Sequence, residues 1–314
     1  MSSRYEAQAL AALAAVGVRP PRAYLWFGRR FEADAQTPLA AAIAQRLLAD
    51  FLGPGAPRPA RPDPAGSTAD AAGFVRALSQ ANCGRGSWRP GWRVAAVEED
   101  AIAVVRPDGL VLLAPAEDCR VEGALANVRM PKDLAGLSPG VLQVLGDAPA
   151  RDDDDRVRLS WNVTAPAAVT LVARLTYALN RGGLPFTLEL LDDPARYGRR
   201  PGAELLLART DGAAAIALLR PLLRALAVHM ADGAPAFSRP LARGLALAEE
   251  PGGGESFGAH RCRLLAEAVV AAGEQGLRAP DARLGAVRER FAAEGLNLEA
   301  PYLQPGSIDA YDGS

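Results

Sequence analysis

The residue that stands out for its chemistry is Lys132, the only lysine among 35 basic residues in a chain of 314. Arginine can replace lysine in a surface salt bridge, but its guanidinium keeps its charge, whereas the surroundings can make a lysine amine neutral. A lysine retained in this background is a candidate general base or phosphate ligand. The alternative is that Lys132 is the one lysine that sequence drift spared.

A second candidate is the stretch 249–262, EEPGGGESFGAHRC. Its glycines and serine precede a predicted helix that begins near Phe257 or Gly258, which places His260 and Arg261 in the first turn. Free backbone N–H groups at a helix start, beside an arginine, favour an anion. The alternative is a loop that only caps the helix.

A third concentration of polar groups is DDPARYGRR, residues 192–200, between two predicted strands. Tyr197, Arg199 and Arg200 would offer a hydroxyl and two guanidinium groups on a loop, where binding residues often lie. The alternative is a hairpin connection with solvated arginines. The sequence has no P-loop, no protein-kinase motif set and no GxSxG.

The amino-acid composition limits the classes of protein that remain possible. Hydrophobic residues make up 49% of the chain and the formal net charge is -1, which predicts a globular core and no general attraction to nucleic acid or to an anionic membrane. The longest apolar stretches, 212–219 and 267–272, are too short to span a bilayer. The three cysteines are odd in number and lack CxxC spacing, so we expect no disulfide framework, no zinc site and a cytoplasmic location. We also expect no other metal site and no cofactor.

Hydrophobic periodicity predicts an α+β fold: a mostly antiparallel sheet flanked by helices, with a helical N-terminal region. We expect residues 1–67 to form that region and a Pro/Gly-rich linker (53–67), and 68–314 to form the main domain, with a loosely ordered tail. The predicted helices are 6–16, 38–52, 68–80, 165–180, 212–230, 257–273 and 281–294. The predicted strands are 92–97, 101–106, 109–114, 157–163, 185–191 and 203–209.

In order along the chain, several blocks resemble the HopA-like family, named after a plant-pathogen type III effector. The likeness covers about residues 90–275. The matching blocks are Pro131-Lys132 with LSPG (137–140), VRLSWNV (157–163), LTYALNRGGLPFTLEL (175–190), DPARYGRR (193–200), FSRPLARGLALAEEP (237–251) and SFGAHRC (256–262).

The resemblance implies a lyase. Family members encoded beside peptide natural-product genes resemble phosphoserine/phosphothreonine lyases of class V lanthipeptide and thioamitide pathways. A separate kinase-like phosphotransferase phosphorylates a ribosomal precursor peptide, and the HopA-like protein eliminates phosphate to leave dehydroalanine or dehydrobutyrine. The implied partners are therefore a precursor peptide and such a kinase, with no nucleic acid and no membrane.

Elimination requires a base for the Cα proton and groups that receive the departing phosphate. We expect Lys132 to be the base and His260 or Tyr197 to protonate the leaving oxygen. Arg199, Arg200 and Arg261 would hold the phosphate through bidentate hydrogen bonds.

Two positions depart from the family pattern. Glu189 stands where the family often has a lysine, and Pro201 stands where an acidic residue commonly follows the Tyr-x-Arg segment. If that lysine is the family's base, the chain is instead a degenerate scaffold that binds the precursor peptide or stabilises a kinase. A third possibility is an effector-like protein that acts inside a host.

Overall fold

The computed structural model describes residues 3–53, 55–57, 68–149, 155–198 and 201–311. Within these ranges the chain forms seven α-helices and three antiparallel sheets, which confirms the α+β prediction. Most of the linker 53–67 lies outside the described residues.

Every predicted helix is present, and each begins within two residues of its predicted start. The last turn of the second helix is wider than predicted, because Leu48–Leu52 continue it as a π-helix. The helices are α1 (Arg4–Ala15), α2 (Leu39–Leu47), α3 (Thr68–Ala81), α4 (Ala165–Arg181), α5 (Gly212–Leu226), α6 (Phe257–Glu274) and α7 (Pro280–Ala293).

The strands include many that the sequence analysis did not predict. The described strands are β1 (Val16–Arg19), β2 (Ala23–Trp26), β3 (Arg29–Glu32), β4 (Ser87–Val97), β5 (Ala101–Val105), β6 (Val111–Pro115), β7 (Cys119–Glu122), β8 (Leu125–Met130), β9 (Asp133–Ser138), β10 (Val141–Leu145), β11 (Arg156–Trp161), β12 (Thr187–Leu191), β13 (Ala203–Ala208), β14 (Arg239–Ala242) and β15 (Leu245–Glu249).

The N-terminal region is not wholly helical, which corrects the prediction. Strands β1, β2 and β3 form a small antiparallel sheet between α1 and α2. The turn between β2 and β3 has positive φ at both Phe27 (49°) and Gly28 (77°), the conformation of a tight two-residue hairpin. Phe-Gly is not among the usual sequence signals for that turn, so the pattern did not predict the hairpin.

The N-terminal region shares a hydrophobic core with the C-terminal helices. Leu13, Trp26 and Phe51 are buried in one cluster with Leu265 of α6 and Phe291 of α7. The C-terminal tail, predicted to be loosely ordered, is also held: Tyr302 and Tyr311 are buried, and the Tyr311 hydroxyl donates to Glu249 at 2.9 Å. Aromatic anchors outweigh the tail's Gly/Pro-rich composition.

The largest sheet has the order β14-β15-β11-β13-β12-β10-β9. Alternate residues give it two different faces. One face carries buried residues such as Leu159, Leu188 and Leu205, which form a core with α4 and α5. The opposite face carries Arg158 on the central strand and the polar residues of its neighbours, and this polar face positions the candidate site.

A third sheet, of order β6-β5-β4-β8-β7, has its own small core around Trp92, Val104 and Val128.

One helical segment differs from the sequence expectation about membranes. Residues Arg209–His229 are, by length and composition only, long and apolar enough to cross a bilayer, because short 3-10 turns extend α5 at both ends. Ala215, Leu219 and Leu226 on its inner side are buried against the sheet. A core helix of a soluble protein passes the same test of length and composition.

Candidate functional site

A cleft of about 320 Å³ opens over the polar face of the seven-stranded sheet. Arg158 and Ser160 of β11, Glu189 of β12 and Glu204 of β13 form its floor. The walls come from the π-helix that follows α2, the segment at Pro235–Ser238 and the first turn of α6. Its volume is within the range typical of small-ligand sites.

Arg158 lies at the centre of this floor and contacts three carboxylates. Its Nη1 is 2.5 Å from Glu204 and 3.6 Å from Glu189, and its Nε donates to Glu250. Burial would lower the pKa of Arg158, but the negative charges of Glu204 and Glu250 outweigh burial and raise it above its usual value. The guanidinium therefore stays positively charged, and carboxylates of the protein itself balance its charge.

The first turn of α6 is an anion site that the protein itself fills. Ser256 caps the helix by accepting from the Ala259 N–H at 3.2 Å. The Phe257 N–H donates to the Glu250 carboxylate at 2.8 Å, and Glu250 is buried. The sequence correctly located a helix start here, and the anion bound to its N–H group is the side chain of Glu250.

Strand register explains why the glutamates converge. Glu189 and Glu204 are direct partners on β12 and β13, an arrangement in which like charges repel. Arg158 on the next strand offsets that repulsion by contacting both. Each glutamate side chain keeps 34% of its surface exposed, so both carboxylates face the cleft.

The structure places Lys132 away from this cleft, at the end of α3. Its Nζ donates to the carbonyl oxygens of Ser79 at 2.7 Å and Asn82 at 2.8 Å. The last carbonyls of a helix have no partner inside the helix, and a cation there also favours the helix dipole. The geometry thus gives Lys132 a helix-capping role, and its predicted role as a base stays a prediction.

A substitution tests this capping role. Lys132→Met should lower the free energy of unfolding by about 1–2 kcal/mol, because two carbonyls at the end of α3 lose their donor. Lys132→Arg should keep most of the stability, since a guanidinium can donate to the same oxygens. Urea denaturation measures both, and wild-type stability in Lys132→Met would contradict the assignment.

His260 and Arg261 lie on α6 but do not line the cleft. Arg261 is fully buried and donates to the carbonyls of Pro301 at 2.8 Å and Leu303 at 2.9 Å, and its Nη1 contacts His260 Nδ1. Burial and the charge of Arg261 lower the pKa of His260, so the imidazole is neutral at pH 7 and can accept from Arg261. In this structure Arg261 anchors the C-terminal tail, and His260 contacts Arg261.

Tyr197 lies beside the cleft wall without lining it. Its hydroxyl donates to the Leu191 carbonyl at 2.8 Å, and its ring packs edge-on against Phe74. Burial raises the pKa of Tyr197, which makes the phenol a weaker acid. Arg199 and Arg200 lie outside the described residues. None of the described candidate residues lines the cleft, and among them only the chain neighbours His260 and Arg261 contact each other.

The sequence analysis did not select Arg158, Glu204 or Glu250 as site residues. A signal was present: Arg158 and Ser160 share one face of VRLSWNV, and Glu189 and Glu204 each stand among leucines in a strand. A charged residue inside an otherwise apolar strand indicates a polar face. Within the described ranges, no group of three or more His, Cys, Asp or Glu side chains could hold a metal ion.

Comparison with known proteins identifies the family. The model of the HopA1 effector protein family matches residues 132–303, more than half of the chain. This chain belongs to the HopA1 effector protein family. The match contains every strand and helix that forms the cleft floor and the start of α6, and it confirms the resemblance that the ordered sequence blocks indicate.

Two solved structures are similar to this HopA1-family chain. One is the effector protein from Pseudomonas syringae pv. tomato strain DC3000, with 16% identity, 96% of each chain covered and a TM-score of 0.53. The other is the effector protein from Pseudomonas syringae pv. syringae strain 61, with 13% identity, 85% of this chain and 96% of that chain covered, and a TM-score of 0.48. At these identities the first supports the fold alone. No curated protein matches.

Proposed function

We propose that this chain is a binding member of the HopA1 family, whose cleft holds a segment of a partner peptide without eliminating phosphate from it. One observation carries the proposal: Arg158, the cation at the cleft centre, already forms ion pairs with Glu189, Glu204 and Glu250.

Among the described residues, both arginines that line the cleft are already engaged, and Arg196 donates to the Gly140 carbonyl and lies 3.9 Å from Asp192. Arg158 pairs with three carboxylates, Glu250 fills the start of α6, and Arg261 is committed to backbone carbonyls. A phosphate in the cleft would also face Glu189 and Glu204, whose negative charges repel it. The described part of the cleft therefore disfavours binding of a phosphoryl group, which a phosphate lyase needs before it can eliminate phosphate.

The two departures from the family pattern both lie in this cleft. Glu189 and Pro201 line it, and Glu189 is 3.6 Å from Arg158. A lysine at position 189 would place an amine where this chain has a carboxylate, and the carboxylate is a weaker base. The location of both changes at one site supports the loss of elimination chemistry rather than unrelated surface drift.

The remaining features of the cleft suit a peptide. Leu52, Leu191 and Phe257 supply apolar wall, while Ser160 and the glutamates supply hydrogen-bond acceptors on the floor. Such a mixture of apolar walls with a few polar groups is typical of ligand clefts. The partner would be a precursor peptide or a segment of a kinase.

The test neutralises the glutamates. In wild type, phosphorylating the serine of a synthetic Ser-containing peptide should not tighten its binding in calorimetry and should lead to no phosphate release. In Glu189→Gln/Glu204→Gln, Arg158 keeps only Glu250, so the phosphopeptide should bind at least about tenfold more tightly than to wild type, a change of about 1.4 kcal/mol.

Glu274→Gln/Glu299→Gln is the matched control, because it removes two exposed carboxylates elsewhere. It should leave both affinities unchanged. Phosphate release by the wild type, or tighter wild-type binding of the phosphopeptide than of its serine form, would contradict the proposal.

The second candidate is the lyase that works with a separate kinase. It is favoured by the ordered family blocks and by Arg199-Arg200, which directly precede the cleft residue Pro201 in sequence. Its signature is a peptide product that has lost one water per modified serine relative to the unphosphorylated peptide. Mass spectrometry after incubation with the phosphopeptide, or with the peptide and its kinase, distinguishes this candidate from a binding protein.

A further inference from the structure

We propose that the outer surface of α4 and α5 binds the anionic surface of a lipid bilayer. This surface, called the α4–α5 surface below, consists of Arg174, Tyr177, Arg181, Leu218, Arg220 and Arg224. It belongs to the helices that cover the apolar face of the seven-stranded sheet, so it is separate from the cleft on the polar face.

The charge of the α4–α5 surface has one sign. Neither α4 nor α5 contains an aspartate or glutamate, and Arg174, Arg181, Arg220 and Arg224 are all exposed. No carboxylate of the described residues forms an ion pair with any of these four arginines, whereas Arg158, Arg263 and Arg290 each pair with two or more. Within the described ranges, these two helices therefore carry four arginines without a carboxylate partner, on a chain whose net charge is only -1.

The same surface is apolar between its charges. Tyr177 and Leu218 have 56% and 42% of their surface exposed, and Val228, just beyond α5, has 81%. Only 28% of the most apolar stretch of Arg209–His229 is buried, so most of that helical segment faces outward. Arginines flanking exposed leucine, valine and tyrosine are typical of helices that lie in the membrane interface.

The inner side of α5 determines how the helix could meet a bilayer. Ala215, Leu219, Leu222 and Leu226 are buried in the sheet core, so a helix that crossed the membrane would have to leave that core. A helix that stays packed can instead place its outer side in the headgroup region. The structure therefore fits peripheral binding and not a span.

Net charge does not oppose this inference. Screening limits the reach of exposed charges to about 8–10 Å at physiological salt, so a local group of arginines acts independently of distant glutamates. Nucleic acid would satisfy the arginines but would leave Leu218 and Val228 in water. A bilayer with anionic headgroups satisfies both the charged and the apolar residues.

Vesicle co-sedimentation of the full chain tests the proposal. The chain should bind vesicles of phosphatidylcholine mixed with phosphatidylglycerol, bind phosphatidylcholine alone much more weakly, and dissociate as salt rises. Each arginine near an anionic surface is worth about fivefold in affinity, so Arg220→Gln/Arg224→Gln should bind roughly 25-fold more weakly. Leu218→Ser/Val228→Ser should also weaken binding, which a purely electrostatic contact would not show.

The matched control is Arg93→Gln/Arg120→Gln, which removes two exposed arginines from the five-stranded sheet. It should bind vesicles like the wild type, and circular dichroism should show all variants folded. Sedimentation that phosphatidylglycerol does not increase would overturn the proposal. Equal loss in the control, or retention on polyglutamate or DNA without vesicle binding, would do so too.

Discussion

Arg158→Met is expected to lower the free energy of unfolding by about 3–5 kcal/mol at neutral pH, because it leaves three carboxylates without their shared cation. Glu250 and Glu204 are the two that contact the guanidinium most closely, and Glu250 is buried. Breaking a buried ion pair from one side costs more than the pair itself contributes, since the remaining charges keep their desolvation penalty.

Urea denaturation at neutral pH measures this effect. Arg158→Met combined with Glu204→Gln and Glu250→Gln should recover a large part of the loss. Arg30→Met is the control, because its pair with Glu32 is largely exposed and such pairs contribute about 0–1 kcal/mol. A deficit for Arg158→Met no larger than that of the control would show that the network is not buried as described.

The same network explains why the cleft was hard to find from sequence. Arg158, Glu204 and Glu250 lie on β11, on β13 and just after β15, and these elements come together only through the strand order β15-β11-β13-β12. The helix positions could be predicted from local hydrophobic periodicity, which does not depend on the element that the helix packs against. Strand order depends on non-local pairing, and no local pattern in VRLSWNV indicates which strands will flank it.

Lys132 shows a different limit of prediction from sequence. Its rarity singled it out correctly as an unusual residue, but rarity carries no information about contacts. The groups that hold it, the carbonyls of Ser79 and Asn82, lie some fifty positions earlier in the chain. A helix end in need of a cation was predictable near residue 80, and its pairing with Lys132 required the tertiary structure.

The stretch 249–262 was interpreted correctly in part. The glycines and Ser256 do begin a helix with free N–H groups, as the sequence predicts. The anion bound there is Glu250, a residue of the same stretch. Because Arg261 follows the helix start, local sequence suggested a phosphate ligand, yet a helix turns its side chains about 100° per residue, and Arg261 points to the tail instead.

Arg261→Met is expected to be the second strongly destabilising change, by about 3–5 kcal/mol, because it leaves buried acceptors without a donor. Arg261 is fully buried and donates to the Pro301 and Leu303 carbonyls, and burial lowers its pKa to about 10, still charged at pH 7. Loss of these bonds should release the tail, so hydrogen exchange should rise at residues 301–311 well below global unfolding.

Arg283→Met is the matched control, since Arg283 donates to the carbonyls of Leu13 and Val16. Its exchange should rise near residues 13–16 and not in the tail. An Arg261→Met protein with a protected tail would mean that the other tail contacts, such as those of Gln304 and Tyr311 with Glu249, are enough to hold the segment.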